Sequence, residues 1–550
     1  GMANLSYRKT DYKSALEYSL KALSIDTYNA DANMIYGLTE LAQGVAISAI
    51  DGFSIASADI SKRSAAYNAI ASIFLKNGDY RKAIDYADKS LTFNQMGSEA
   101  IQLKIICLRK LGINEEAGNE LAKLDKRDPL NHFIRFERFL TDPSSENKTL
   151  IQNYITNELP HETYLEYALW YFRNGQLSDA LKVLELAPEN HPIVLFWKGY
   201  LNHLEGDEQT ASASLAKALQ INPQLVFPFR SETLKPLEWA QSLSDNWIID
   251  YYTGLVYLNA GAEEKVRSLW NSCGNNPDFY PFYIARSRLA EAGNQQAQSD
   301  VERVLELAGN DWRAGLFASK FYMDRGDMLK AEELGRKFYS KNPENYYLGL
   351  HYAKILELDK NYSECVSLLQ KIQVLPNEGA TEGRTIWQNA NIGNSLDLMK
   401  VKKYRKTLES IGLARQWPPN LGIGKPYQVD ERLEDFIELQ CYKKLNDNRS
   451  ASEMQDKITG KTGHQNLSFD LNDFLTAWVL KENGNKPEGD QVMNGLLAEN
   501  PFSKGVQWCN AIYSGELERA KAIAKEIDRN DQPFLFIERI FNELLTVVKR

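Results

Sequence analysis

The chain has 550 residues, 25% of them charged and 43% hydrophobic, which is an ordinary globular composition able to form a substantial core. Its 64 lysines and arginines against 73 aspartates and glutamates give a net charge of -9. Because no basic excess is present to neutralise a phosphate backbone, nucleic acid is excluded as an expected partner. No apolar run approaches the roughly eighteen residues of a membrane span, so no membrane association is expected.

The N-terminal block, residues 1–129, begins with an incomplete helical hairpin. Residues Tyr12, Ala15, Ser19 and Ala22 recur at the spacing of one helix face, but only a short stub precedes them where a partner helix would lie. Because a terminal repeat normally carries a polar capping face, we expect this chain to have been cut from a longer protein. Gly1 is interpreted as an expression scar.

The second block, residues 130–223, contains the clearest repeat unit, from Tyr164 to Pro192. Gly175 closes a first helix in the left-handed conformation that glycine adopts at low cost. Ala180 follows on the apolar stripe of a second helix, where a short side chain lets two antiparallel helices approach closely. The pattern predicts a helical hairpin with Ala180 buried between its helices.

The same order of glycine, small residue and apolar residues recurs along the chain. The corresponding alanines of other second helices are Ala83, Ala211, Ala331 and Ala520. Gly44, Gly78 and Gly112 follow one another at 34 residues, the period of tetratricopeptide repeats, and Gly175 and Gly206 are 31 apart. The chain thus resembles the tetratricopeptide-repeat (TPR) superfamily over most of its length. The resemblance implies an all-α fold, a right-handed α-α superhelix of about fifteen TPR-like hairpins with first helices lining its concave face.

Candidate ligand-binding residues lie at the end of the second block and in the central block, residues 224–413. They are the aromatic or cationic residues at first-helix positions expected to face the concave surface: Phe196, Tyr200, Tyr251, Tyr280, Tyr283, Arg313, Lys320, Tyr347 and Lys354. Rings and cations that interleave along a groove suit peptides or sugars. The alternative is that many of these rings pack between helices, since tyrosine is abundant, with 28 in the chain. Both interpretations stay open on the sequence alone.

Residues 414–429 are predicted to form a crossing loop rich in proline and glycine. Asn420, Gly422, Gly424 and Lys425 have the composition of a loop whose backbone amides surround an anion. The alternative is a rigid structural crossing between hairpins, because prolines bracket the segment.

The C-terminal block, residues 430–550, is predicted to hold further hairpins and a terminal helix. Thr459 to Gly463 looks like a phosphate-binding loop, but Gln455 stands where that motif requires glycine. The six histidines show no metal-ligand spacing, and the five cysteines show no Cys-x-x-Cys pair. We therefore expect no metal, no cofactor and reduced cysteines in the core.

Three short segments point to a narrower family: Lys21 to Tyr28, Phe227 to Arg230 and Trp417 to Tyr427. They are similar to the C-terminal TPR region of large bacterial proteins that begin with an all-β domain of unknown function. That N-terminal domain looks similar to carbohydrate-handling β-sandwiches, so the resemblance implies a sugar-related role for the longer protein.

The leading hypothesis is a non-catalytic, cytoplasmic binding or scaffolding module. Its partner would be another protein or the missing N-terminal domain, with a peptide or carbohydrate as further ligand classes. The alternative is a helical-toroid glycan-processing enzyme, which needs two carboxylates about 5–10 Å apart in one cavity. Repeats of 31–34 residues predict an open spiral without a common axis for such a pair, and this favours the scaffold.

Overall fold

The computed structural model describes residues 1–188, 190–290, 295–377, 379–427, 429–460 and 472–527, and near the C-terminus residues 534, 538 and 540–543. Every regular element in these residues is a helix, which confirms the all-α prediction. The chain divides into two compact units, Gly1–Ala297 (unit 1) and Gln298–Arg550 (unit 2). Across the described ranges, no helix is long and apolar enough to cross a lipid bilayer.

Unit 1 is built from helices that pack in chain order as hairpins, each with a first and a second helix. They are α1 (Met2–Arg8), α2 (Tyr12–Ile25), α3 (Ala30–Ala42), α4 (Ala46–Ala56), α5 (Ile60–Lys76), α6 (Tyr80–Phe93), α7 (Ser98–Lys110), α8 (Asn114–Arg127), α9 (His132–Thr141), α10 (Ser145–Tyr154), α11 (Pro160–Arg173), α12 (Leu177–Glu185), α13 (Pro192–Glu205), α14 (Glu208–Ala218), α15 (Leu234–Gln241), α16 (Trp247–Asn259), α17 (Glu263–Ser272) and α18 (Tyr280–Leu289). Helix α15 follows a short 3-10 turn, Ser231–Thr233, and is inserted between two hairpins.

Unit 2 continues the same pattern. Helix α19 (Gln295–Ala308) crosses the division, and it is followed by α20 (Trp312–Asp324), α21 (Met328–Lys341), α22 (Tyr346–Leu358), α23 (Tyr362–Leu369), α24 (Glu382–Lys400), α25 (Tyr404–Ala414), α26 (Arg432–Leu445), α27 (Asn448–Thr459), α28 (Asp473–Glu482), α29 (Lys486–Glu499), α30 (Lys504–Ser514) and α31 (Leu517–Glu526). With α15 and the two helices beside the division, α18 and α19, set aside, the other described helices make fourteen consecutive pairs, which agrees with the prediction of about fifteen hairpins.

Many of the turns inside the hairpins share one local design. Gly78 has a φ of 78°, and the carboxylate of Asp79 accepts a hydrogen bond from the backbone N–H of Lys82 at the start of α6. The same glycine–aspartate pair closes the turns at 206–207 and 326–327. Since a left-handed residue followed by an N-cap is what a tight turn between two helices requires, this pair marks the turn in the sequence.

Small residues lie where helices pack closely. The five alanines predicted to be buried, Ala83, Ala180, Ala211, Ala331 and Ala520, are at most 2% exposed, which confirms that prediction. Glycine has the same role beside larger rings. A Cβ on Gly315 of α20 would lie 2.2 Å from the ring of Phe338 in α21, and one on Gly254 of α16 would lie 2.1 Å from Trp270 in α17.

The cysteines are part of the core. Cys107, Cys273, Cys365, Cys441 and Cys509 are all buried free thiols, as predicted. Burial raises the pKa of the Cys107 thiol to about 12. A buried thiol held protonated at neutral pH is a poor nucleophile.

Hairpin turns that are far apart in sequence meet within unit 1. Ser72 Oγ donates a hydrogen bond of 2.6 Å to Asn174 Oδ1. A Cβ on the neighbouring Gly175 would lie 3.0 Å from Lys76 Cα, so this approach needs a residue without a side chain. The coil of unit 1 is therefore tighter than the open spiral expected from the repeat period.

A buried ion network also joins successive hairpins of unit 1. Arg109 in α7 donates hydrogen bonds of 2.7 and 3.0 Å to Glu137 in α9 and one of 2.8 Å to Asp179 in α12. The hydroxyl of Tyr171 in α11 donates to Glu137 at 2.6 Å. Burial alone would raise the pKa of Asp179, but the charge and hydrogen bond of Arg109 outweigh it and lower that pKa. The charges are thus paired where water cannot solvate them.

Candidate interaction surfaces

Three of the predicted groove residues in unit 1 are packing residues of its core. Phe196 and Tyr283 are fully buried and Tyr251 is 5% exposed. The Phe196 ring packs edge-on against Tyr252 at 5.9 Å, and the Tyr283 hydroxyl donates to the Pro277 carbonyl at 2.8 Å. Burial raises the pKa of Tyr251. These three side chains present almost no surface to a ligand.

The other two predicted residues of unit 1 are half-buried. Tyr200 lies within an aromatic group, with ring centroids 6.1 Å from Phe172, 6.1 Å from Trp197 and 6.2 Å from Trp239. Burial, followed by the nearby charge of Glu238, raises the pKa of Tyr200. Tyr280 begins α18.

A small cleft in unit 1 brings a carboxylate and a guanidinium together. Its lining includes Glu162 of α11, Trp197 of α13 and Arg230 of the segment before α15. Arg230 forms a very short ion pair with Glu162. Burial would raise the pKa of Glu162, but hydrogen bonds from His161 and Arg230 outweigh burial and lower it. A glycosidic general acid needs a raised pKa, so Glu162 is suited to structural pairing.

Unit 2 brings two of the predicted residues, the exposed Arg313 and Tyr347, together with two half-buried rings. The Arg313 guanidinium carbon lies 4.5 Å from the centroid of the Trp312 ring. Trp312 lies nearly parallel to Tyr347, with centroids 6.1 Å apart and an interplanar angle of 8°, and Tyr347 stacks on Tyr346 at 4.2 Å. We call Trp312, Arg313, Tyr346 and Tyr347 the aromatic stack.

The aromatic stack repeats with the period of the array. Trp312 and Arg313 begin α20, and Tyr346 and Tyr347 begin α22, exactly one 34-residue repeat later. Repeat position predicts Arg313 and Tyr347 as groove residues, but it did not lead to Trp312 and Tyr346. An aromatic residue at the first position of two consecutive first helices was the signal that would have found them.

Lys320 and Lys354 are not contacts of the aromatic stack. Lys320 is an exposed residue of α20, and its charge acts on the buried His351 of α22. Lys354 is half-buried and forms an ion pair of 2.8 Å with Glu357, whose side chain is 2% exposed. The Lys354 ammonium therefore neutralises the buried carboxylate of Glu357.

The predicted crossing loop follows the α24–α25 hairpin but is attached to the end of the preceding hairpin, α22–α23. The Asn420 side-chain amide donates to the carbonyls of Leu369 and Ile372 at 2.8 Å each, and the Val374 N–H donates to the Asn420 carbonyl at 2.8 Å. Gly422 has a φ of 80°. These contacts hold the loop against the end of α23, which is the structural role weighed in the sequence analysis.

The other two candidate anion-binding residues of the loop, Gly424 and Lys425, are exposed. Gly424 lies on the surface, and Lys425 Nζ lies 3.1 Å from Glu431 Oε1. The Lys425 charge is thereby shared with a carboxylate, and anion binding by this loop stays a prediction. The phosphate-loop comparison extends beyond residue 460, and residues 461–463 lie outside the described part of the chain.

A surface that the sequence analysis did not identify lies on the first helices near the end of unit 2. Four rings, Phe436 of α26, Phe474 and Trp478 of α28 and Trp508 of α30, surround Phe541; we call them the aromatic cup. Centroid distances from Phe541 are 4.8 Å to Phe474 and 4.9 Å to Trp478. Phe541 is 2% exposed. The sequence predicts a terminal helix in the C-terminal block, but no local pattern in the sequence indicates that Phe541 packs on the first helices.

Comparison with known proteins finds a repeat family over one short part of the chain. A tetratricopeptide-repeat family model matches residues 64–95, which contain most of α5 and all of α6. No curated protein matches the chain.

Solved structures with similar helical arrays are the Naa15/Naa10 complex bound to HypK-THB, yeast Tom70 and the APC/C hetero-tetramer Cut9–Hcn1. The first is 12% identical, covers 99% of this chain and 98% of its own, and has a TM-score of 0.27. Yeast Tom70 is 16% identical, with coverages of 78% and 97% and a TM-score of 0.21. Cut9–Hcn1 is 15% identical, with coverages of 94% and 95% and a TM-score of 0.23. TM-scores this low mean that the whole chains do not superpose, so no function is inferred from these structures.

Proposed function

Because this chain is an array of TPR-type helical hairpins, we propose that it is a non-catalytic scaffold that binds partner proteins through its first helices. A domain that precedes this chain in a longer protein would be one such partner. A hairpin array suits this role, since each added repeat extends one continuous surface.

The aromatic stack is the observation that carries the proposal. Tyr347 is 55% exposed, although the Phe196 and Tyr283 rings at other first-helix positions are buried. A tyrosine with two side-chain torsions gives a large contact area at low entropic cost, and arginine over a ring adds a cation. Tyrosine, tryptophan and arginine are also the residues that most often dominate binding energies. The aromatic stack therefore has the chemistry of a protein-binding anchor.

The glycan-processing alternative receives less support. Its chemistry requires two carboxylates that face one cavity and keep different protonation states. The unit 1 cleft has Glu162 as its acidic lining residue, and the pKa of Glu162 is lowered with Arg230 as an ion-pair partner. This arrangement favours binding over catalysis.

The scaffold proposal is tested by selecting ligands for the full chain. A displayed peptide library and a glycan array are screened against it, and affinities of the selected ligands are measured for Tyr347→Ala. We expect peptides to be selected and their affinity to fall about tenfold or more in Tyr347→Ala, because truncating an anchor ring removes its packed contacts.

Tyr427→Ala is the matched control, since Tyr427 is a fully exposed tyrosine of the same unit. Its affinity for the selected peptides should equal that of the parent chain. Selection of glycans alone, with the same dependence on Tyr347, would assign the aromatic stack to carbohydrate. Peptide binding that is unchanged in Tyr347→Ala would contradict the aromatic stack as the anchor.

A further inference from the structure

Described residues near the C-terminus contact the first helices of unit 2 in the manner of a bound peptide. The described residues Phe534, Glu538 and 540–543, which we call the terminal segment, are helical and follow the last hairpin. Phe534 and Phe541 are both at most 2% exposed. Both rings also contact the same side chain, that of Trp508 in α30, so they lie on the same side of the terminal segment.

The apolar part of this contact is the aromatic cup. Phe541 meets rings of three successive first helices, α26, α28 and α30. Phe534 packs edge-on against Trp508 with centroids 5.5 Å apart. Within a hairpin, each first helix packs against its own second helix. The terminal segment instead contacts the first helices of several hairpins, and these helices form the face that we propose for binding.

The polar part of the contact is a cationic rim. Glu543 lies 3.0 Å from Lys400 Nζ at the end of α24 and 3.7 Å from Lys360 Nζ in the turn between α22 and α23. With the aromatic cup, residues of five consecutive hairpins therefore contact the few described residues of the terminal segment. Contact with so many repeats is what a ligand laid along a groove makes, and a capping helix on the last hairpin would not reach them.

We propose that the aromatic cup and its cationic rim form a peptide-binding site that the terminal segment fills in the isolated chain. The partner is an amphipathic helix of another protein with the same recognition features, two phenylalanines seven residues apart and a carboxylate two residues beyond the second. The partner binds by displacing the terminal segment. This inference rests on the proposed scaffold function and identifies the class of partner for one of its surfaces.

Tethering determines how strongly the terminal segment competes. A short linker gives an attached ligand an effective concentration in the millimolar range. A free peptide with an intrinsic dissociation constant of about 10 μM is then weakened about a hundredfold by the attached competitor. Weakening the attached segment should therefore raise the apparent affinity for a free peptide strongly, although the residues of the binding site are unchanged.

The test uses the full chain and a fluorescent synthetic peptide with the sequence of residues 534–543, followed by fluorescence anisotropy. Phe541→Ala should bind this peptide about a hundredfold more tightly than the parent chain, because its own segment loses the ring that fills the aromatic cup. Phe502→Ala is the matched control, since Phe502 is 92% exposed in the same unit, and it should bind as weakly as the parent.

Charge exchange at the rim tests the geometry independently of the cavity that Phe541→Ala would create. Glu543→Lys in the chain removes the ion pairs of the half-buried Glu543 with Lys400 and Lys360 without emptying the aromatic cup, and it should also strengthen peptide binding several-fold. Adding Lys400→Glu to Phe541→Ala should weaken the peptide about tenfold, and a peptide carrying lysine at the position of Glu543 should recover that loss.

Circular dichroism and the melting temperature show whether each variant is folded. Peptide binding by Phe541→Ala and Glu543→Lys that is no tighter than in the parent, whether or not the variants melt earlier, would overturn the proposal and leave the terminal segment as part of the core. The Tyr347→Ala measurement is separate, because Tyr347 lies on α22 and the aromatic cup on α26 to α30. If Tyr347→Ala leaves ligand affinity unchanged while Phe541→Ala and Glu543→Lys strengthen peptide binding, only the role of the aromatic stack is contradicted.

Discussion

His351 of α22 is a buried titratable group, 5% exposed. Its Nε2 lies 2.9 Å from Ser319 Oγ, and that hydroxyl donates its own hydrogen to the Ala331 carbonyl at 2.7 Å. The imidazole must therefore donate through Nε2–H. Burial, followed by the positive charge of Lys320, lowers the pKa of His351 to about 4.

The lowered pKa of His351 predicts a loss of stability in mild acid. An unfolded histidine takes up a proton below its ordinary pKa of 6.5, whereas folded His351 stays neutral down to about 4. The unfolded state thus binds more protons between these values, and the free energy of unfolding falls as the pH drops. The Gln amide of His351→Gln keeps a hydrogen-bond donor but does not titrate. Between pH 7 and pH 5 we therefore expect the free energy of unfolding of this variant to fall by about 2 kcal/mol less than that of the parent chain.

Urea denaturation followed by circular dichroism at both pH values measures this difference. Other histidines whose pKa burial lowers, such as the half-buried His191, act in the same direction in both proteins, so the parent chain measured in parallel is the control. An equal fall in the free energy of unfolding for the two proteins would show that His351 does not contribute.

At the scale of the helical element, the hairpins depend on close approach at a few small residues. Gly315 in α20 is the clearest case, because a Cβ there would overlap the Phe338 ring of the paired helix α21. Helical glycine is unfavourable by about 1 kcal/mol relative to alanine. The glycine is therefore explained by the space that the ring of the partner helix requires.

Gly315→Ala should destabilise unit 2 by about 1–3 kcal/mol, since overpacking a helix contact outweighs the gain in helix propensity. Gly412→Ala is the matched control in the same unit. Gly412 lies in α25, and nothing lies within 4 Å of an added Cβ, so this change should stabilise the chain by up to about 1 kcal/mol. Chemical denaturation measures both, and a similar effect of the two substitutions would refute the packing argument.

At the scale of the whole molecule, stability is distributed along a chain of neighbouring hairpins. In such arrays a hairpin gains stability chiefly from its immediate neighbours. Unit 1 adds contacts between distant turns, such as Ser72 with Asn174, and the Arg109 network across three hairpins.

Ala180→Leu should disturb unit 1 locally. Ala180 is fully buried in α12, so a larger side chain should cost about 1–3 kcal/mol. Amide hydrogen exchange should accelerate in α11 and α12 and, through the contact between turns, around Ser72 in α5. Exchange around Ala477 in α28 should stay as in the parent chain. Equal acceleration at Ala477 would mean that the whole chain unfolds as one cooperative unit.

The sequence by itself determined the fold class, the order of the hairpins and the burial of residues such as Ala83 and Ala180. These features are local, because a glycine turn and an apolar stripe are set by residues within one repeat. Position within the repeat also led to Arg313 and Tyr347, yet the same rule selected Phe196 and Tyr283, which the structure buries. Exposure depends on which neighbouring helix covers a first-helix face, and one repeat does not contain that information.

Two features are visible only in the tertiary structure: the tight coil of unit 1 and the position of the terminal segment on the first helices. Ser72 and Asn174 are 102 residues apart, and Phe541 and Phe436 come from separate helices with no periodic relation. Contacts of this kind depend on how small rotations between successive hairpins add up along the array. No single repeat encodes that sum, so residues at equivalent repeat positions become core, exposed anchor or binding cup according to where the coil brings them.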